Sequence, residues 1–144
     1  MAHTFTLEVA TPERLLIREE VSEAQIPALQ GEIGVRPDHA PLIAELGIGP
    51  LSYLAGGRRR EMAVSGGIVE VLPDRARVLA NAAEHADEID VQRAEEALRR
   101  ANARLLNPFP GHDVARTLNA LKRAQTRLLI ARQLHDYPAP HPRH

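Results

Sequence analysis

Two hydrophobic periods divide this chain, and they meet near Ala83. Before that point short apolar runs alternate with polar residues, and Gly or Pro punctuates them. Phe5, Leu7 and Val9 fall on one face of a first strand, with Thr4, Thr6 and Glu8 on the other. Further strands are expected over 14–17, 22–29, 41–46, 50–55, 60–66, 67–72 and 76–82. Gly56-Gly57, Gly66-Gly67 and Pro73-Asp74 supply turn chemistry between them. Many short strands at this spacing predict a sandwich or barrel. Pro27 inside the 22–29 run favours an edge position for that strand, because proline cannot donate to a ladder.

Beyond Ala83 the period becomes helical. Val91, Ala94, Leu98, Ala101 and Leu105 step by three and four, which makes one narrow apolar seam. Asp90 stands where an N-cap belongs, and Glu95 and Glu96 lie one turn from Arg99 and Arg100 on the polar side. Asn107-Pro108 ends this helix, and "NPFPG" makes a tight connection. A second helix is expected from Asp113 as N-cap to about His135. It carries Val114, Leu118, Leu121 and Leu128, flanked by Ala120, Ala124 and Ala131. Two helices with so short a link form an antiparallel hairpin. Its seam is thin and rich in alanine, so the pair is marginal unless something supports it. The chain is therefore expected to be α+β: residues 1–86 a β domain, 87–137 a helical hairpin, and 138–144 a disordered tail.

Composition narrows the functions open to such a chain. Its 144 residues fit one domain or two small ones, and 44% hydrophobic with 26% charged residues indicates a globular protein. Aromatic residues are only 3%, so the core must be built from Leu, Ile, Val and Ala. The absence of cysteine removes disulfides and thiolate metal sites. The N-terminal "MAHTFTLEVA" alternates instead of forming an apolar block, so a signal peptide is not expected. The uncharged run at 46–57 is far short of the ~20 residues that span a bilayer.

Catalytic chemistry finds no support. Lys122 is the one lysine, so no Gly-Lys-Ser/Thr phosphate loop exists. The seven histidines lack ligand-like spacing, and no metal site is expected. Ser22, Ser52 and Ser65 stand in no nucleophile-elbow frame. "GGRRR" at 56–60 reads as a basic hairpin tip, with a phosphate or nucleic-acid role as the sharper alternative.

Charge does separate along the chain. Residues 1–83 carry a net −3 and residues 84–144 a net +2. Arg123 and Arg127 are one turn apart with no acid nearby on their helix. Antiparallel pairing about the loop brings them towards Arg93 and Asp90. Three guanidiniums around one space suit a polyphosphate, whose oxygens match the arginine fork. Pairing with Asp90, Glu96 or a partner protein is the other reading of the same residues.

Several segments taken together resemble the ε-subunit family of bacterial F-type ATP synthases, whose mitochondrial counterpart is called δ. They are "TFTLEVATPERLL", "GEIGVRPDHAPLI", "AVSGGIVEVLPDRARVLA" and "EIDVQRAEEALRRA". The likeness runs from about Thr4 to His135. It implies a flattened antiparallel β-sandwich followed by an α-helical hairpin, in a non-catalytic central-stalk subunit. The resemblance implies that the sandwich binds the γ subunit and the c-subunit ring. The hairpin, folded down or extended, would reach the α and β subunits transiently and inhibit ATP hydrolysis. By the same resemblance the membrane would be approached only through the complex, at the cytoplasmic face of the bacterial plasma membrane; the net charge of −1 gives no support for a nucleic-acid partner.

The same resemblance assigns residues. Glu32 and His39, in "GEIGVRPDHAP", would contact the c ring. "IDVQRA" at 89–94 matches an ATP-binding motif of the family, and "KRAQTRL" supplies two arginines. Glu84, Ile89, Asp90 and Ala94 would then face adenine and ribose, and Arg93, Arg123 and Arg127 the phosphates. ATP would be a regulatory ligand, with no cofactor required. An inhibitory contact with acidic β-subunit loops would rest on Arg116, Lys122 and Arg123. The connector "NPFPGHD" and the tail "PAPHPRH" depart from the family pattern. The alternative function is a stand-alone sandwich module with a helical dimerisation arm.

Overall fold

The structure is a computed structural model that describes residues 3–136, with side chains described through Arg132. The expected tail at 138–144 lies outside the described residues. The chain divides into two compact units, one ending at His85 and the other beginning at Ala86.

In the first unit the alternation of Phe5, Leu7 and Val9 is realised as β1 (Phe5–Ala10), with all three side chains buried. β2 (Leu15–Val21) buries Ile17 and Val21. β3 (Glu23–Ala28) follows, and then β4 (Gly31–Val35), which lies outside the strands expected from the sequence pattern. The runs expected at 41–46 and 50–55 are one long strand, β5 (Leu42–Ala55). Those at 60–66 and 67–72 are likewise continuous as β6 (Arg58–Leu72), and β7 (Arg75–His85) completes the set.

The seven strands run in the order β2-β1-β7-β6-β5-β3-β4. Neighbours pair antiparallel except β1 and β7, which are parallel. The sheet wraps around Leu7, Ile26, Leu51, Met62, Val69 and Val78, all fully buried, so the expected sandwich is present with an aliphatic core. β3 is interior, not an edge. Pro27 is tolerated there because the β3–β5 register shifts between Gln25 and Ala28, and no ladder bond is asked of it. Gly66-Gly67 does not end a strand. Gly67 has φ +126° inside β6, opposite Ala80 of β7, and a Cβ there would lie 2.0 Å from the Leu79 carbonyl oxygen.

The polar face of β1 is also ordered. Glu8 receives Arg18 and Arg77 from the flanking strands, each at 3.0 Å. Glu20 accepts hydroxyl hydrogen bonds from Thr6 and Thr4, which hold its carboxyl below the usual carboxylate range. A depressed folded-state pKa contributes stability present above the unfolded value and lost as pH falls through the folded one. Glu20 is solvent-exposed, so this contribution is small.

The second unit opens with a 3-10 turn (Ala86–Glu88) and continues as α1 (Val91–Leu106) and α2 (Val114–Asp136). Both expected caps are formed. The Asp90 carboxylate accepts from the Arg93 N–H, and that of Asp113 from the Arg116 N–H, each at 3.1 Å. The helices pack along Ala94, Leu98, Ala101 and Leu105 on α1, with Val91 left more exposed at the end of the seam. On α2 the buried residues differ from the expected set. Val114 and Leu118 are about half exposed, while Thr117, Ala124, Thr126, Leu128, Ile130 and Ala131 are buried. Thr117 can be buried because its hydroxyl donates to the Asp113 carbonyl and meets the His112 ring nitrogen. The connector is ordered by the same histidine, whose ring lies 5.1 Å from that of Phe109.

Candidate functional site

The first turn of α1 gathers Asp90, Arg93 and Ala94, and the cap dictates what each can do. One Asp90 oxygen is occupied by the helix backbone, so the carboxylate is fixed in orientation at the positive end of the helix dipole. Arg93 projects into solvent and Ala94 is buried. Ile89 is half-buried just before the cap, and its N–H reaches the Ala86 carbonyl at 3.4 Å. Arg123 and Arg127 are half-buried on successive turns of α2, a helix that packs against both α1 and the 3-10 turn. Among the described residues, neither Arg93 nor Arg123 forms an ion pair through its side chain, whereas Arg127 is engaged. The expected Glu95–Arg99 and Glu96–Arg100 pairs do not close to ion-pair distance among the described residues. Glu84 stands near the end of β7, in the first unit, and is half-buried. Arg116 and Lys122 are exposed on α2, and Arg123 follows Arg116 by two turns on the same side. No group of acids and histidines among the described residues is arranged to hold a metal.

Glu32 and His39 occupy different kinds of position. Glu32 is exposed on the edge strand β4, paired with Pro27. His39 is half-buried in the turn that follows, and its Nδ1–H donates to the Ala40 carbonyl at 2.7 Å. That bond requires a proton on Nδ1, because a carbonyl oxygen can only accept. The turn is held by Asp38, whose N–H reaches the Pro73 carbonyl at 2.8 Å. Asp38 also has φ +65° and lies 3.3 Å from His3.

One surface was not anticipated from the sequence. On the outward face of the sheet Ile68 and Leu79 are direct cross-strand partners, and Leu79 continues through Ala10 to Leu15. Ile43 stands on the same face, opposite Glu70. These four are 53–73% exposed, an apolar row on a face that otherwise carries the Arg18–Glu8–Arg77 ion pairs. Contiguous exposed apolar residues of this kind mark a contact surface. The signal was present in "GIVEVL", where Ile68 is apolar on the opposite parity from Val69 and Val71. Among the described residues no helix is long and apolar enough to cross a membrane.

Comparison with known proteins covers both units. Residues 4–86 match the family described as ATP synthase, Delta/Epsilon chain, beta-sandwich domain. Residues 87–132 match ATP synthase, Delta/Epsilon chain, long alpha-helix domain. The ATP synthase epsilon chain of Solibacter usitatus is 56% identical over 115 residues, 80% of this chain and 86% of its own. That of Koribacter versatilis is 47% identical over 110 residues, 76% of this chain and 78% of its own. Among solved structures, a chain of the Euglena gracilis mitochondrial ATP synthase, OSCP/F1/c-ring, superposes with a TM-score of 0.77 at 23% identity, covering 90% of this chain and 81% of that one. A chain from the Tetrahymena thermophila central stalk/c-ring gives 0.57 at 14% identity, covering 90% and 95%. These two likenesses speak to the fold, while the matched domains and the identities establish descent: the chain belongs to the ATP synthase delta/epsilon chain family.

Proposed function

We propose that this epsilon-type chain, a non-catalytic member of its complex, is a rotor element that joins the γ subunit to the c-subunit ring and restrains ATP hydrolysis through its helical hairpin. The observation that carries the docking part is the exposed row Leu15, Leu79, Ile68 and Ile43. A face that leaves four large aliphatic side chains in water gains about 25 cal/mol for each Å² that a partner covers. The reading of a stand-alone module gives no account of that face in a chain of this family. Replacing Ile68 and Leu79 together by glutamate is expected to abolish co-purification with γ. Both positions are more than half exposed, so circular dichroism and melting should stay as in the wild type. Retained γ binding by the double variant would rule out this face.

On the ring side, Glu32 and His39 are the proposed contacts. Glu32 offers a carboxylate from an edge strand, and His39 an imidazole whose Nδ1–H is bonded to the Ala40 carbonyl. Through these partners the chain would sit peripherally on the cytoplasmic face of the membrane.

The hairpin is the proposed regulatory element. Its seam is rich in alanine, so the apolar area lost if the two helices separate is modest. Arg116, Lys122 and Arg123 would meet acidic loops of a β subunit when it extends. ATP would favour the retracted position. Asp90, Ile89, Ala94 and Glu84 would recognise the nucleoside, and Arg93, Arg123 and Arg127 the phosphates. Supporting this are a capped first turn of α1 and, on the helix packed against α1, two arginines one helical turn apart. Calorimetry should show ATP binding to the isolated chain, weakened on the order of 100-fold in Arg93→Ala/Arg127→Ala, the loss of two charge-assisted contacts. Absence of heat at millimolar ATP would remove the sensor role.

A further inference from the structure

Helix α2 has a second apolar side that its pairing with α1 leaves open. Its inner seam of Thr117, Leu121, Ala124, Leu128 and Ala131 is buried or half-buried and occupies one arc of the helix. Val114, Leu118, Lys122, Gln125, Leu129 and Arg132 fall within the neighbouring arc of about 80°, from the 3.6-residue turn. All six are exposed. The three aliphatic side chains among them are each 48–49% exposed.

The charge on this helix has one sign. From Val114 to Arg132 it carries Arg116, Lys122, Arg123, Arg127 and Arg132, and no carboxylate. Helical spacing sets Arg116, Arg123 and Arg127 on the side away from the exposed stripe. Lys122 and Arg132 stand on the stripe itself, and neither forms an ion pair among the described residues.

We propose that this stripe docks, as a helix in a groove, on an apolar furrow bordered by carboxylates on the subunits that hydrolyse ATP. The aliphatic side chains stand half in water here, and a partner gains by covering the remainder. Lys122 and Arg132 select an acidic border, because the stripe holds no acid of its own. A second copy of the chain fits poorly, since two such stripes would set cation against cation. This deepens the inhibitory reading of the hairpin and rests on it. Of Arg116, Lys122 and Arg123, Lys122 alone lies among the exposed apolar residues of the stripe.

In complexes saturated with the full chain, Leu118→Gln/Leu129→Gln should raise ATP hydrolysis towards the level given by a chain that ends at residue 86. The docking equilibrium should shift by roughly 20-fold, about fivefold for each side chain no longer buried. Lys122→Glu/Arg132→Glu should release hydrolysis too, whereas Leu118→Met/Leu129→Met should keep it restrained. These positions are exposed, so melting and γ co-purification should match the wild type. Should the glutamine pair melt early, the glutamate pair decides. If the shortened chain releases hydrolysis but either variant pair restrains it like the wild type, the proposal falls and the inhibitory role stands. No release by the shortened chain would overturn both. Dimers of the isolated chain, or its partition into anionic vesicles, that the glutamine pair abolishes would also overturn it. Those results would assign the stripe to a second copy or to a lipid surface.

Discussion

Replacing Gly67 with valine is expected to unfold the N-terminal unit at temperatures that the wild-type chain withstands. A Cβ at this position would meet the Leu79 carbonyl oxygen at 2.0 Å and the Ala80 Cα at 3.0 Å, both backbone atoms that cannot rotate away. The strand β7 would have to leave β6, and that pairing is central to the sheet order. The φ of +126° adds strain for any L side chain, of order 1–3 kcal/mol by itself. Together the expected loss is about 4 kcal/mol or more. For a unit of this size each kcal/mol lowers Tm by roughly 4–8 °C, so a fall on the order of 15–30 °C follows. Gly57→Ala is the control. Gly57 also has positive φ, but a Cβ there meets nothing within 4 Å, so only the conformational cost of about 1–2 kcal/mol applies. Comparable melting of the two variants would show that the close approach of β6 to β7 is not what makes Gly67 necessary.

Removing the hairpin is expected to release ATP hydrolysis in the assembled enzyme. A chain ending at residue 86 keeps all seven strands and the whole aliphatic core of the first unit. It should therefore still fold and still bind γ through Ile68 and Leu79. What it loses is α1 and α2, with Arg116, Lys122 and Arg123. Complexes reconstituted with it should hydrolyse ATP severalfold faster than those with the full chain, while proton pumping per ATP is preserved. Unchanged hydrolysis would separate the hairpin from inhibition. Lost pumping would instead assign it to coupling. The alanine-rich seam is the reason to expect a movable element: Ala94, Ala101, Ala124 and Ala131 allow close approach of the helices but bury little area each.

Much of this architecture was legible in local pattern. The change of period near Ala83 separated a β unit from a helical one, and the units divide between His85 and Ala86. Asp90 and Asp113 read as N-caps, and the carboxylate of each accepts a hydrogen bond from a first-turn N–H. These are features that residues within a few positions of one another decide. The seam of α1 was legible for the same reason. That of α2 was not, because Val114 and Leu118 fit the helical period equally well, and only packing left them half exposed while Thr117 went inside.

The candidate site divides in the same way. "IDVQRA" announced a capped helix start, and the capping bond is there. That Arg127 is engaged while Arg93 and Arg123 form no ion pair among the described residues could not be read from spacing, because a side chain's partner depends on elements distant in sequence. Strand identity alone did not specify the sheet. Gly66-Gly67 has the composition of a turn, yet lies within β6, because β7 approaches so closely that no side chain fits. "GEIGV" falls outside the expected strands and pairs as β4, and β1 joins β7 in parallel across some seventy residues. The row Leu15, Leu79, Ile68 and Ile43 exists only because that long-range order sets five strands side by side, from β2 to β5. By itself the sequence determined the two units, their secondary-structure type and their helix starts, since those follow from short-range periodicity and capping. The tertiary structure decided which apolar residues face water, because exposure depends on the neighbours that non-local strand pairing supplies.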